Sequence, residues 1–162
     1  MTMSRAAAIR TLTQPGKVLE VRESLEAGWP VRRFVRAPET LSALLDQAVS
    51  TFGERVYTVY GGETRTFRQV DEEAARLAKG LQDLAGVGHG DRVAIAMRNY
   101  PEWVTGFLAA QKLEAVVVAM NAWWTARELD AALANAEPKV ILADQERIGR
   151  LMPGDAPIVA VR

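Results

Sequence analysis

One glycine-rich stretch has the residue types that can cradle a phosphate group: residues 86–91, GVGHGD. A dinucleotide-binding glycine loop follows a strand and opens a helix, because the helix N–H groups then meet the pyrophosphate. Here the glycines follow a helical pattern and precede a strand pattern. We therefore predict that Gly86 ends a helix in a left-handed conformation and that the rest of the stretch is a turn.

The titratable side chains offer little for metal or acid/base chemistry. His89 is the only histidine and cysteine is absent, which excludes disulfides, thiolate metal sites and histidine-pair sites within the chain. We predict that His89 is exposed and inert. Asp71, Glu72 and Glu73 fall in the predicted first turn of a helix, where carboxylates interact favourably with the helix dipole. We interpret them as structural, because nothing in the sequence argues for a cleft around them.

The most unusual stretch is residues 121–125, NAWWT, which follows a predicted strand and precedes a helix cap. Ligand sites of α/β proteins are built at this edge of the sheet. Trp123 and Trp124 supply a large apolar surface with one N–H donor each. One interpretation is that they cover the core or a neighbouring subdomain. The other is that Asn121, Trp123 and Trp124 line or gate an apolar substrate path.

The amino-acid composition bears on which kinds of partner the chain could bind. The 162 residues carry twenty basic and twenty acidic side chains, a balance that gives no electrostatic reason to expect nucleic acid or an anionic membrane. The sequence contains neither a Gly-x-x-x-x-Gly-Lys-Ser/Thr loop nor a Gly-x-Ser-x-Gly elbow. No apolar run is long enough to span a bilayer, and the N-terminus does not have the pattern of a secretory signal. We expect a soluble cytoplasmic protein.

Apolar periodicity predicts the elements that would position these residues. A helical stripe is formed by Leu41, Leu44, Leu45, Ala48, Val49 and Phe52. Capping boxes begin helices at Thr66 and Thr125, Pro101 begins another, and Asp144 can cap a short one. A hairpin is predicted across residues 56–66, and apolar strands at 92–97, 115–119, 140–143 and 158–161. Such strands between amphipathic helices predict an α/β three-layer sandwich with a mainly parallel sheet.

The first 36 residues differ from residues 37–162 in charge, because they carry seven basic and three acidic side chains. Pro15, Gly16 and Gly28 interrupt any regular pattern. We predict an irregular, partly mobile basic leader that docks along the surface, followed by the α/β domain. An amphipathic segment that contacts a membrane surface is the alternative, although the apolar positions lack helical spacing.

Several motifs in register resemble class I adenylate-forming enzymes, a superfamily of acyl-CoA synthetases, luciferases and peptide-synthetase adenylation domains. Residues 66–70, TFRQV, are similar to its first core motif, Thr/Ser-Tyr-x-Glu-Leu. Residues 112–121, KLEAVVVAMN, are similar to the second, Lys-Ala-Gly-Ala-x-x-Val-Pro-Leu-Asn/Asp. Residues 99–103, NYPEW, resemble its Asn-x-Pro-Glu-Phe/Trp turn, and NAWWT resembles a fatty-acyl-CoA ligase branch. The resemblance runs from about Thr40 to Val161.

The resemblance implies the N-terminal subdomain of the acyl-CoA synthetase-like fold. It also implies a parent reaction that converts a fatty or other carboxylic acid, ATP and coenzyme A into acyl-CoA, AMP and diphosphate through an acyl-adenylate. ATP, Mg and coenzyme A would serve the parent enzyme, and the partners would be the acid and the rest of the synthetase or a homologous chain. The family's phosphate loop, ribose-binding aspartate, metal-binding glutamate and catalytic lysine come later than Arg162. We therefore expect a segment truncated before the phosphate loop, without catalytic, cofactor-binding or metal-binding residues.

The sequence departs from the family pattern at two positions, Glu114 in place of glycine and Ala119 in place of proline. Glycine permits a tight helix-to-strand turn, so we expect Glu114 to add backbone strain or to mark a divergent copy. These changes keep open a second hypothesis, a non-catalytic stand-alone interaction module of the same fold. A small nucleotide-binding domain of Rossmann type is a third, which titration with ATP or NAD would test.

Overall fold

A computed structural model describes residues 4–152, 154 and 156–162. The chain divides into two compact units, of which the first ends at Leu44 and the second begins at Leu45. This division falls within a helix. The boundary expected from sequence, between residues 36 and 37, stays a prediction.

The first unit contains a helix and a β-hairpin, with the bounds α1 Arg5–Leu12, β1 Val21–Glu26 and β2 Trp29–Phe34. The strands are antiparallel and pair Glu26 with Trp29, which leaves Ala27 and Gly28 as the turn. Both turn residues have positive φ, 47° and 84°, as a two-residue hairpin turn requires. The prediction of an irregular leader is therefore wrong for the described part of residues 1–36. Gly28 does not interrupt structure there; it joins two strands.

From residue 41 onward, the elements are α2 Leu41–Phe52, β3 Val56–Tyr60, β4 Glu63–Thr66, α3 Phe67–Ala85, β5 Arg92–Ala96, α4 Pro101–Lys112, β6 Val116–Ala119, α5 Ala126–Ala136, β7 Val140–Asp144, α6 Gln145–Ile148 and β8 Ile158–Val161. Helices alternate with strands there, except that β3 and β4 are consecutive. Both predicted capping boxes are formed, at Thr66 and Thr125. Asp144 caps α6 and Pro101 is the first residue of α4. Each of these local predictions is confirmed.

The central sheet of the second unit has four parallel strands in the order β6-β5-β7-β8. Alternate residues of β5 serve two separate cores, because successive side chains of a strand point to opposite faces. Val93 and Ile95 pack with side chains of α3 and α4. Ala94 and Ala96 pack with Leu129 of α5 on the other face. The predicted three-layer α/β arrangement is confirmed.

A separate antiparallel pair, β3 and β4, forms the predicted hairpin. Its turn residues Gly61 and Gly62 both have positive φ, 54° and 87°. Among the helices of the described ranges, none combines the length and apolarity that a membrane crossing needs.

Glu114 lies in the turn between α4 and β6, where its φ is 55°. Its carbonyl accepts a hydrogen bond from the N–H of Gly90, with N···O 3.0 Å. A side chain with a Cβ is strained in this left-handed region, whereas glycine is not. The expectation that Glu114 carries backbone strain is confirmed.

We predict that Glu114→Gly raises the free energy of unfolding by about 1 kcal/mol, because it relieves the left-handed strain. Urea denaturation followed by circular dichroism measures the change. Glu114→Ala is the matched control, since it removes the carboxylate but keeps the Cβ, and it should give no gain. A glycine variant less stable than the alanine variant would contradict the strain.

Candidate functional site

The glycine-rich stretch of residues 86–91 ends a helix and leads into a strand. Gly86 follows α3 with φ 61° and ψ 30°, and its N–H donates to the carbonyl of Gln82. The turn therefore lies at the N-terminal end of β5, which begins at Arg92. The prediction of a helix stop and a turn is confirmed, and the order of elements is the reverse of a dinucleotide-binding loop.

Asp91 holds this turn together. Its carboxylate accepts hydrogen bonds from the Gly88 N–H at 2.9 Å and from Lys139 Nζ at 2.8 Å. Lys139 also donates to the Gly86 carbonyl, at 2.8 Å. The Lys139 ammonium, followed by the Gly88 N–H, holds the pKa of the Asp91 carboxyl below its ordinary value. These bonds fix the turn and use the polar groups that a ligand would need.

His89 is exposed, as predicted, with 84% of its side chain accessible. Its Nδ1 lies 3.0 Å from Glu114 Oε2, a partner 25 positions away that sequence spacing does not reveal. Whether His89 is inert stays a prediction.

The acidic run at residues 71–73 lies in the second turn of α3, because the helix begins at Phe67. The prediction that it occupies the first turn is wrong, and its carboxylates are beyond the short reach of the helix dipole. Asp71 instead pairs with Lys112 of α4 at 2.6 Å, and Glu73 pairs with Arg65 of β4 at 3.1 Å. These two ion pairs connect α3 to α4 and to β4, and the structural interpretation of the run stays a prediction.

At the opposite edge of the sheet, a buried ion pair at the junction of β7 and α6 contacts the loops that follow β5 and β6. The Asp144 carboxylate accepts from the Arg98 N–H at 3.0 Å and from Arg147 Nη1 at 3.1 Å. Arg147 Nε donates to the carbonyl of Ala122 at 2.9 Å. Arg147 is fully buried and Asp144 is 2% exposed. Sequence reasoning missed Arg147; its position three residues after a predicted cap was the available signal.

Arg147 therefore anchors the loop of residues 121–125 through its hydrogen bond to the Ala122 carbonyl. Within it, Asn121 Oδ1 accepts a hydrogen bond from the Trp123 N–H at 2.9 Å. Trp124 is partly buried and packs against the core that contains Leu129. Trp123 is 74% exposed, and the Arg98 guanidinium lies 5.1 Å from its ring centroid. The two tryptophans thus have different surroundings, and the roles predicted for them stay predictions.

A depression of about 480 Å³ opens at this edge. Its lining combines aromatic rings, amides and one arginine: Tyr60, Arg98, Asn99, Tyr100, Asn121, Ala122 and Trp123. Two of the predicted residues, Asn121 and Trp123, are therefore brought together there, and Trp124 is not among the lining residues. Arg98 was missed, although it directly follows an apolar strand.

Beside the depression, Arg162 is surrounded by acidic and aromatic side chains. It donates to Glu102 and to Glu63, each at 2.9 Å, and its guanidinium lies 5.2 Å from the Tyr60 ring centroid. The hydrogen bond from Arg162 is the main reason that the pKa of Glu63 lies below its ordinary value. Arg162 therefore has its hydrogen-bond acceptors, Glu102 and Glu63, within the chain.

In the described part of the chain, the charged groups beside both edges of the sheet have partners within the chain. The glycine turn is closed by Asp91 and Lys139, and Arg98 is 3.3 Å from Glu146. Within residues 4–152, 154 and 156–162, no three or more His, Asp or Glu side chains are grouped so that they could hold a metal ion.

Comparison with known proteins places this architecture in a family. The family model described as AMP-binding enzyme matches residues 45–160. The chain is 32% identical over 109 residues to a probable CoA ligase of Humulus lupulus, which covers 67% of this chain and 21% of the relative. It is 30% identical over 122 residues to a medium/long-chain fatty acid and 3-oxocholest-4-en-26-oate CoA ligase of Mycobacterium marinum, covering 74% and 22%. The chain belongs to the AMP-binding enzyme family.

Solved structures support the same fold. A benzoate CoA ligase from Burkholderia xenovorans superposes with a TM-score of 0.72 at 17% identity, over 77% of this chain and 26% of that one. The N-terminal subdomain of NpsA from Klebsiella oxytoca superposes with 0.67 at 24% identity, over 75% and 30%. The chain spans about a fifth of the length of the curated relatives that it matches.

We predict that Arg147→Met lowers the free energy of unfolding by about 3–5 kcal/mol, because it leaves the Asp144 carboxylate buried without its cation. Urea denaturation measures the loss. Arg150→Met is the matched control: Arg150 also donates to a carbonyl of the loop, at 3.0 Å from Trp124 O, but it is partly exposed. We expect about 1 kcal/mol or less for it. Equal losses in the two variants would refute the importance of burial.

We also predict that the Asp91 carboxylate contributes to the acid sensitivity of folding. Because its pKa is lowered in the folded state, its contribution is present above about pH 4 and is lost as the pH falls through the lowered pKa. In Asp91→Asn the free energy of unfolding should therefore fall less steeply below about pH 4. Lys139→Met, which removes the largest cause, should also flatten the curve. Coincident pH slopes for wild type and Asp91→Asn would contradict this.

Proposed function

We propose that this chain is the N-terminal portion of an ATP-dependent acyl-CoA ligase, and that its role is to provide a scaffold. The match of the family model to residues 45–160 carries the proposal. Curated relatives named as CoA ligases support it, since this chain corresponds to 21% and 22% of two of them. The proposed parent reaction converts a carboxylic acid, ATP and coenzyme A into acyl-CoA, AMP and diphosphate through an acyl-adenylate. Mg would accompany ATP in that reaction.

The proposed contribution of this chain is a rigid wall at the carboxyl edge of its sheet. Ligands of open α/β sheets bind outside that edge. The Asp144–Arg147 pair anchors the 121–125 loop, and Trp123 is left 74% exposed above the depression. Asn121, Trp123 and Trp124 would form part of the acyl path or of the interface with the next subdomain. The phosphate-binding and catalytic groups would come from other parts of the enzyme.

The comparisons do not single out one carboxylic acid as the substrate of the parent enzyme. The relatives are named for different acids, among them medium- and long-chain fatty acids, oxalate in Arabidopsis thaliana and ferulate in Amycolatopsis. The NAWWT string and the exposed indole of Trp123 favour an apolar acyl chain, because an indole adds apolar contact area. We propose a fatty acid as substrate and the cytoplasm as location.

A non-catalytic interaction module of the same fold is the second candidate. The strained backbone of Glu114, with φ 55°, favours it, because such strain is tolerated where selection for an optimal scaffold is relaxed. Sedimentation velocity separates the candidates. A monodisperse, stable chain would favour the module, whereas aggregation would indicate apolar surface that a missing part of the enzyme covers.

We predict that the purified chain catalyses no detectable ATP–diphosphate exchange with dodecanoate, because it lacks phosphate-binding groups. The ligase of Mycobacterium marinum serves as the positive control in the same assay. Exchange above the blank would refute the scaffold role. The nucleotide sequence past codon 162 is an independent check, since a Thr-Ser-Gly-Thr-Thr-Gly-like stretch some tens of residues on would supply the phosphate loop of a longer enzyme.

A further inference from the structure

We draw no further inference here: the strongest candidate, the cluster of Arg98, Arg147 and Arg150 around the Glu146 carboxylate at the carboxyl edge of the sheet, belongs to the site already described, and its guanidinium groups are matched by Glu146 and Asp144, so that nothing in the described part of the chain selects an external anion.

Discussion

The buried pair of Asp144 and Arg147 is the interaction on which the carboxyl edge of the sheet depends. A charged pair placed away from water is costly unless both partners are fully hydrogen-bonded. Here the carboxylate accepts from the Arg98 N–H while the guanidinium donates to the Ala122 carbonyl. One ion pair thus connects the start of α6 to the loops that follow β5 and β6. Displacing one of these segments would leave a buried charge without a partner, which is energetically costly.

The sequence predicted those elements whose signals are local. Thr66, Thr125, Asp144 and Pro101 each begin a helix as expected, because a cap needs only a few neighbouring residues. The strands of the central sheet were predicted because burial on both faces makes them apolar throughout. The Asp144 cap was predicted but its ion pair with Arg147 was not recognised. That pairing depends on a loop that enters from 25 positions away at Ala122, which no local pattern reveals.

The first hairpin shows the opposite case. Residues of β1 and β2 are mostly exposed on both faces, so the strands lack the alternation of apolar and polar residues that burial imposes. Gly28 was therefore interpreted as an interruption, although its positive φ is what closes the turn.

The acidic run at residues 71–73 was misplaced for a related reason: its cross-element partners, Lys112 and Arg65, are set by tertiary packing.

Most charged groups beside the two edges of the central sheet are already paired within the chain, which is consistent with the scaffold role that we propose. A side chain that serves a reactant needs hydrogen-bonding capacity left over in the resting protein. At the carboxyl edge, Arg147 is used by Asp144 and Ala122, and Arg162 by Glu63 and Glu102. At the opposite edge, the glycine turn is closed by its own carboxylate. What the carboxyl edge still presents is a depression lined by aromatic rings, amides and the half-exposed Arg98.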